Sequence, residues 1–275
     1  MGYKLICTDM DGTLLNDNKE ISLENRIAIK DAMDEGAIIV LCTGRLFTFA
    51  KYYAQGLGVN TPIIASNGAY IREQQSNNIL YKCPLGVENS LCVEEILKKY
   101  NINPHFNSSD TIFTGKISFS SENYLKLNER LKKEEQFKVE VVKDWEKTFF
   151  EYKEEILKCI AIDLDLDNIR NAKEEISNLG GLVVESSFYN NFEVMNKEVS
   201  KGKAVKLIGD YYGIKREEII CIGDNENDLS MIDYAGLGVA MGNSIDTVKA
   251  QSDFISSTNN EDGVAQVIRK FVLKH

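Results

Sequence analysis

Short apolar runs alternate along the chain with longer stretches in which apolar residues recur at helical spacing. In the first part of the chain, apolar runs at residues 5–7, 37–42 and 62–65 are separated by helical stretches at residues 22–35 and 44–57. Short apolar runs that alternate with helices are typical of buried strands. This order predicts a parallel sheet whose crossover connections are right-handed.

The same pattern returns near the C-terminus. Helical stretches at residues 201–212, 227–234 and 262–273 alternate there with strands predicted at residues 218–222 and 237–241. Because strands and helices alternate in both blocks, we expect them to form the two halves of one sheet. The predicted fold class is α/β, with a doubly wound parallel-sheet (Rossmann-like) core.

The elements predicted between the two blocks follow a different order. They are helices at residues 87–100, 122–133 and 169–179, strands at residues 157–164 and 182–184, and a hairpin around residues 114 and 115. A mixed series of this kind is typical of an α+β domain with its own sheet. We therefore expect a discontinuous core of residues 1–82 and 188–275, with an inserted α+β domain at residues 83–187.

The composition and charge of the chain restrict its partners. Of the 275 residues, 43% are hydrophobic and 27% are charged, with Gly 19 and Pro 3, which is typical of a compact folded chain. The formal net charge of −10 predicts that the chain binds neither nucleic acid nor an anionic membrane. A phosphorylated partner would therefore need a local cation or a metal ion.

The sequence indicates neither export nor disulfide bonds. The N-terminal apolar run is too short for a signal peptide, and no stretch approaches the roughly 20 residues that span a bilayer, so we expect a cytoplasmic protein. The six cysteines include no Cys-x-x-Cys pair. Cys7, Cys42, Cys159 and Cys221 each lie in an apolar run, which favours buried, reduced thiols over metal ligands.

Two carboxylates, Asp9 and Asp11, follow the first predicted strand. Ligands of open α/β sheets bind outside the carboxyl ends of the strands, where these side chains are expected to lie. Asp9 could attack phosphorus to form an aspartyl phosphate, and Asp11 could protonate the leaving group and later activate water. The alternative is an ordinary turn, because Asp and Gly are common turn residues.

A second group of polar residues follows the strand predicted at residues 218–222. Asp224 comes directly after it, and Asn227 and Asp228 open the next helix. Oxygen ligands from two strand ends suit Mg²⁺, so Asp9, Asp224 and the backbone carbonyl of Asp11 are the predicted magnesium site. The alternative for Asn227 and Asp228 is helix capping.

Two smaller elements could complete a phosphate site. Thr43 and Gly44 follow the second strand, so a hydroxyl and a backbone N–H at a helix N-terminus could hold phosphate oxygens. Lys201 lies directly after Ser200, the expected cap of a helix, and its ammonium could neutralise a transferring phosphoryl group.

Taken together, these segments resemble the haloacid dehalogenase superfamily. The matching segments, in the order and spacing of that superfamily, are Asp9-Met10-Asp11-Gly12-Thr13, Thr43-Gly44-Arg45, Ser66-Asn67-Gly68-Ala69, Lys201-Gly202 and Gly223-Asp224-x-x-Asn227-Asp228. More narrowly, the chain resembles the Cof-type hydrolases, in which a large cap is inserted between the second and third motifs. The resemblance covers the whole chain.

The resemblance implies a role for each matching residue. By it, Asp9 is the nucleophile, Asp11 the general acid and base, and Asp228 the residue that orients metal-bound water or Lys201. The implied Mg²⁺ ligands are Asp9, Asp11 and Asp224, and the implied phosphate contacts are Met10, Thr43, Gly44, Lys201 and Asn227. The segment at residues 196–199 departs from the Gly or Pro that relatives often carry, which leaves Lys197 or Lys203 as competitors of Lys201.

The predicted function is a Mg²⁺-dependent phosphatase of a small phosphorylated metabolite that works through an aspartyl phosphate. We expect the core to hold the phosphate and the inserted domain to select the rest of the substrate. Two alternatives stay open: a hexose phosphomutase of the same superfamily, and a non-catalytic phosphoacceptor or binding protein. Asp11 and the insertion argue against the second alternative.

Overall fold

The computed structural model describes residues 2–129, 131–133 and 136–273. The strands are β1 (Leu5–Thr8), β2 (Ile38–Leu41), β3 (Ile63–Ala65), β4 (Tyr70–Arg72), β5 (Ile79–Lys82), β6 (Pro104–Asn107), β7 (Thr111–Thr114), β8 (Lys138–Val141), β9 (Lys158–Ile162), β10 (Leu182–Glu185), β11 (Asn191–Asn196), β12 (Ile219–Gly223), β13 (Leu237–Ala240) and β14 (Phe254–Ile255). The helices are α1 (Leu23–Asp34), α2 (Phe47–Leu57), α3 (Val87–Lys99), α4 (Ser120–Asn128), α5 (Trp145–Glu151), α6 (Leu166–Asn178), α7 (Lys201–Tyr212), α8 (Leu229–Tyr234), α9 (Asp246–Gln251) and α10 (Gly263–Phe271).

The core is built on a parallel sheet with the strand order β14-β13-β12-β1-β2. Strand β1 lies between the two halves of the chain, because Leu5 is in register with both Ile38 and Ile219. All four residues of β1 are buried, as expected of a strand covered by helices on both faces. The predicted α/β core with a doubly wound parallel sheet is confirmed.

The third predicted strand, β3, is only loosely part of this sheet. A single parallel bridge joins Ile64 to Cys42, while the main partner of β3 is the antiparallel strand β4, which in turn pairs with β5. The predicted third strand is present and its bridge to the core sheet is parallel, but its main pairing, with β4, is antiparallel. A tight turn at Ser66–Gly68 sends the chain straight back, so β3 pairs with its neighbour in sequence.

The inserted domain contains a second, mostly antiparallel sheet with the order β10-β11-β9-β6-β7-β8. Helices α3, α5 and α6 pack on one of its faces, around a cluster that includes Leu97, Phe106, Phe149 and Ile176. The opposite face is turned toward the core. This arrangement confirms an inserted α+β domain, which the order of the elements had predicted.

Three details of this domain differ from the sequence-based expectations. The hairpin between β6 and β7 turns at residues 108–110 instead of around residues 114 and 115. Helix α4 spans Ser120–Asn128, so it begins and ends earlier than the helix predicted at residues 122–133. Strand β11 was not predicted, although it pairs with both β9 and β10. We therefore propose that the inserted domain continues to the end of β11 and not to residue 187.

The cysteines of the apolar runs are free and buried, as predicted. This holds for Cys7, Cys42, Cys159 and Cys221. Cys7 and Cys221 are neighbours on adjacent parallel strands. Among the described residues, no helix combines the length and the apolar character that crossing a membrane requires.

Candidate active site

The carboxyl ends of β1, β2 and β12 meet at one edge of the core sheet. Asp9 follows β1, Thr43 follows β2, and Asp224 follows β12. Gly12 adopts a φ of 78°, and a side chain there would begin 2.5 Å from Asp224 Oδ2. The loop after β1 can therefore approach Asp224 only with glycine at that position.

Lys201 is the cation at the centre of the site. It is the first residue of α7, whose N-cap Ser200 accepts a hydrogen bond from Lys203 N. The Lys201 ammonium is fully buried and donates to Asp9 Oδ1 at 2.6 Å and to Asp228 Oδ1 at 2.5 Å. The two lysines that competed with Lys201 in the sequence lie outside the site. Lys197 is exposed, and Lys203 pairs with the carboxylate of Glu198.

Three carboxylates surround this lysine, namely Asp9, Asp224 and Asp228, which we call the acidic cluster. Each offers an oxygen within 4.8 Å of the others. Burial raises the pKa of Asp9 well above its ordinary value, the other two carboxylates raise it further, and Lys201 opposes them only in part. Burial and the charge of Asp228 likewise raise the pKa of Asp224 to about 7.

The acidic cluster therefore fits a divalent cation. One ammonium faces three carboxylates, so ionising all of them leaves an excess of negative charge that Mg²⁺ would neutralise. The oxygens of Asp228 are already engaged, one by Lys201 and the other by the N–H groups of Asp224 and Asn225 at 2.8 and 3.0 Å. Asp9 and Asp224 are thus the residues that could hold the ion, with Asp228 behind them.

Asp11 occupies a different environment. Its carboxylate accepts two hydrogen bonds from the Arg45 guanidinium, at 2.7 and 2.9 Å, and one from Lys19 Nζ at 2.9 Å. Burial alone would raise the pKa of Asp11, but these two cations outweigh it and hold the pKa well below its usual range. As described, Asp11 is an ionised base, and acting as an acid requires that it leave Arg45 and take up a proton.

The predicted phosphate contacts come from four segments, one of which carries Lys201 at the start of α7. Thr43 and Gly44 form the loop after β2, and the Asn227 amide lies beside them, where it donates to Asn67 Oδ1 at 3.1 Å. The side chain of Met10 is fully buried in the hydrophobic core. Any contact of Met10 with phosphate would therefore come from its backbone.

A cavity of about 360 Å³ lies between the core and the inserted domain. From the core it is lined by the acidic residues Asp9, Asp11 and Asp224. The residues that line it from the inserted domain include Phe119, Tyr124, Lys158, Ile160, Phe188 and Glu193. A cavity of this size suits a small metabolite.

Hydrogen bonds join the two units beside this cavity. Asn225 Nδ2 donates to the Ser187 carbonyl at 3.1 Å, and Ser186 N donates to Glu226 Oε2 at 2.9 Å. Lys173 of α6 also pairs with Glu226, at 3.2 Å. The loop between β10 and β11 is thus attached to the segment that follows Asp224.

Sequence reasoning missed the part of the site that the inserted domain contributes. Lys158 and Glu193 are both buried and form an ion pair at 2.5 Å, which we call the cap pair. Glu193 lies between two apolar residues of β11, a pattern that is usual for residues facing solvent, and Lys158 is the polar first residue of the otherwise apolar β9. Asn67 belongs to the matching segment at residues 66–69, but the sequence indicates no role for its side chain.

Comparison with known proteins places the chain in a family. The family model described as haloacid dehalogenase-like hydrolase matches residues 6–268. The chain belongs to this family. Membership confirms the predicted superfamily and the predicted hydrolase class.

Relatives match the chain over nearly its whole length. It is 34% identical to 5-amino-6-(5-phospho-D-ribitylamino)uracil phosphatase YwtE of Bacillus subtilis (strain 168), covering 96% of each chain. It is 28% identical to pyridoxal phosphate phosphatase YbhA of Escherichia coli (strain K12), covering 98% of each. A solved haloacid dehalogenase-like hydrolase from Bacteroides thetaiotaomicron superposes with a TM-score of 0.81 at 30% identity, over 98% of this chain and 99% of that one.

Proposed function

We propose that the chain is a Mg²⁺-dependent phosphatase that hydrolyses small phosphomonoesters through a phosphorylated Asp9. The observation that carries this proposal is the position of Asp9, which is buried against the Lys201 ammonium at the base of a cavity of about 360 Å³. A carboxylate held in this way has one oxygen fixed by the lysine and faces the space in which a phosphate would lie.

In the first half of the reaction, a bond forms between an Asp9 oxygen and phosphorus while the ester oxygen leaves with its electron pair. Lys201, Thr43, Gly44 and Asn227 would hold the phosphoryl oxygens and stabilise the charge that develops on them. Mg²⁺, held by Asp9, Asp224 and the backbone carbonyl of Asp11, would offset the charge of the acidic cluster and keep Asp9 ionised. The proton for the leaving oxygen would come from Asp11.

In the second half, water attacks the phosphorus of the aspartyl phosphate and gives a proton to Asp11, while the bond between phosphorus and the Asp9 oxygen breaks. Inorganic phosphate is released and the Asp9 carboxylate is restored. The ion pair with Arg45 and Lys19 keeps Asp11 ionised but weakens it as a base, so accepting the proton also requires that Asp11 leave these cations. The first half needs the protonated form, so we expect Asp11 to leave Arg45 when substrate enters. An activated aryl phosphate needs no proton on its leaving group, and Asp11→Asn should therefore retain part of the first half with such an ester.

The substrate is proposed to be a phosphorylated metabolite whose remaining part contacts the inserted domain. The named relatives act on a phosphorylated ribitylaminouracil and on pyridoxal phosphate, both of which are small phosphomonoesters. Phe188 lines the cavity and is 59% exposed, so it offers an apolar surface to a ring or carbon chain. A location in the cytoplasm stays a prediction.

The test is release of inorganic phosphate from a panel of phosphorylated metabolites in the presence of Mg²⁺. We expect at least one ester to be hydrolysed, with covalent phosphate trapped on wild-type protein and not on Asp9→Asn. Conversion of a hexose phosphate into its isomer, dependent on a bisphosphate, would identify a phosphomutase instead. Phosphate bound to Asp9 without turnover of any ester would favour a phosphoacceptor protein.

A further inference from the structure

Asn67 connects both phosphate-binding segments of the core to the inserted domain. Its backbone N–H donates to the Thr43 carbonyl at 3.0 Å. Its side-chain oxygen accepts from Asn227 Nδ2 at 3.1 Å, and its side-chain nitrogen donates to Glu193 Oε2 at 2.6 Å. Asn67 thus contacts the loop after β2 through its backbone N–H. Its buried side-chain amide contacts the Asn227 amide and a carboxylate of the other domain.

The backbone of Asn67 adopts a conformation that is rarely populated. Its φ is 55°, and the preceding Ser66 also has a positive φ, of 50°. Left-handed backbone costs a non-glycine residue of the order of 1 kcal/mol or more, although Asn tolerates it better than most. Gly44 leaves room for the amide, since a side chain there would begin 2.8 Å from Asn67 Oδ1. The surrounding structure therefore holds this amide in one place.

Glu193 is fixed just as firmly from its own side. Oε2 accepts from Lys158 Nζ at 2.5 Å, and Oε1 accepts from Ser187 Oγ at 2.9 Å. Burial alone would raise the pKa of Glu193, but the Lys158 ammonium and the hydrogen bonds from Ser187 and Asn67 outweigh it, so the pKa lies below its usual value. The carboxylate is a permanent acceptor that moves only when the inserted domain moves.

We propose that Asn67 and Glu193 are positioning residues through which the inserted domain, when seated on the core, orients the phosphate-binding amide of Asn227. This inference rests on the proposed function, in which Asn227 contacts phosphate. Glu193 orients the Asn67 amide by accepting from its nitrogen, and the opposite end of that amide then accepts from Asn227. When the domain lifts, the Asn67 nitrogen loses its acceptor and the Asn227 amide loses its fixed orientation.

The consequence revises the expectation that the core alone determines phosphate affinity. The inserted domain would tighten phosphate binding without placing a ligand on it, because its carboxylate acts through Asn67. A substitution at Glu193 should then weaken binding of inorganic phosphate, a ligand that has no second part for the inserted domain to recognise.

A matched pair of double variants isolates the acceptor. Lys158→Met with Glu193→Gln keeps an oxygen that can accept from Asn67, whereas Lys158→Met with Glu193→Met does not. Both lack the Lys158 ammonium, and neither buries an unpaired charge. We expect inhibition by inorganic phosphate to be about tenfold weaker in the second variant, the usual effect of one hydrogen bond. Equal inhibition constants in the two variants would overturn the inference.

A reversal of donor and acceptor provides the second test. Asn67→Asp keeps a residue that tolerates left-handed backbone but sets two carboxylates against each other. Adding Glu193→Gln supplies a new amide that can donate to the new carboxylate, which still accepts from Asn227. We expect the single variant to lose about a hundredfold in kcat/KM and phosphate inhibition together, and the double variant to recover most of both. A double variant no better than the single one contradicts the proposal.

Controls separate this inference from the proposed function. Glu185 is the register partner of Glu193 on β10, so Glu185→Gln makes the same chemical change on the neighbouring strand. Glu185→Gln should be inhibited by inorganic phosphate, and should hydrolyse the ester, to the same extent as wild type. Melting temperatures should verify that every variant is folded. An active wild type with no difference between the matched variants overturns only the inference. A wild type that releases no phosphate and does not bind it overturns the proposed function and this inference together.

Discussion

The two domains each place one fully buried lysine beside the cavity, and the two lysines differ in what surrounds them. Lys201 of the core faces the three carboxylates of the acidic cluster, whereas Lys158 of the inserted domain faces Glu193 alone. The acidic cluster has more negative charge than its lysine can neutralise, while the cap pair is balanced. A buried cluster with excess negative charge favours the uptake of a cation or a proton, whereas a balanced pair can orient its neighbours without either.

The largest effect is expected at Asp9, the proposed nucleophile, because the cap pair has no counterpart of it. Asp9→Asn should lower kcat by at least about 10⁴-fold, as removal of a covalent nucleophile does in other enzymes. The melting temperature without Mg²⁺ should not fall, because an amide in place of Asp9 removes repulsion within the acidic cluster. Steady-state kinetics and thermal melting check both outcomes, with Asp167→Asn on the exposed face of α6 as the control. A fall in kcat of less than about 100-fold in Asp9→Asn would contradict the role of Asp9.

Removal of the metal should affect the acidic cluster and leave the cap pair unchanged. A chelator should abolish phosphate release, and adding Mg²⁺ should restore it and raise the melting temperature. At a hundred times the dissociation constant, the ion adds about 2.7 kcal/mol to the free energy of unfolding. Asp224→Asn should remove this stabilisation, whereas Lys158→Met combined with Glu193→Gln should keep it. Full activity in chelator would refute the metal assignment.

Exchange of each lysine for methionine tests whether the two environments differ in excess charge. Lys201→Met and Lys158→Met should each lower the free energy of unfolding by about 3–5 kcal/mol, because each strands buried carboxylates. Mg²⁺ should recover part of the loss in Lys201→Met, since the ion neutralises the acidic cluster. It should recover none in Lys158→Met, whose unpaired carboxylate lies in the other domain. Melting curves of both variants with and without Mg²⁺ measure this recovery of stability. Equal recovery in the two variants would contradict the difference in excess charge between the two sites.

The smallest expected effect is on the free energy of unfolding at low pH, and it arises from a histidine of the inserted domain. His105 is fully buried in β6, and burial lowers its pKa to about 4, which the Ser118 carbonyl opposes only in part. A folded-state pKa below the unfolded value of about 6.5 means that unfolding takes up a proton in this range. Stability should therefore fall by about 2 kcal/mol between pH 8 and pH 5 on account of this residue. His105→Gln should remove that part of the slope in denaturant titrations at several pH values, and an unchanged slope would contradict it.

The core could be predicted from the sequence because its chemistry follows strand ends. Asp9 and Asp224 come directly after apolar runs, and parallel strands bring such positions to one edge, as the structure shows. The prediction of Lys201 rested on the helix cap at Ser200, which is visible in the sequence and present in the structure. These are local signals, and the parallel sheet converts them into proximity.

The contribution of the inserted domain could not be predicted in the same way. Strand β11 alternates polar and apolar residues, so Glu193 is indistinguishable in sequence from a residue that faces solvent. Pairing of β11 with β9 brings Glu193 to Lys158, and only the apposition of the two domains brings it to Asn67. The ion pair between Asp11 and Arg45 is another contact between distant loops that spacing alone does not reveal.

The central position of β1 in the core sheet has a consequence for synthesis on the ribosome. Leu5 is made well before its partner Ile219, which follows only after the whole inserted domain. At about 5–20 residues per second, the edge of β1 stays open for on the order of ten seconds or longer. The inserted domain, whose strands are all made before β12, can fold during that interval. A nascent chain stalled before residue 219 would therefore expose one unpaired edge of an apolar strand, which is a template for pairing with another chain.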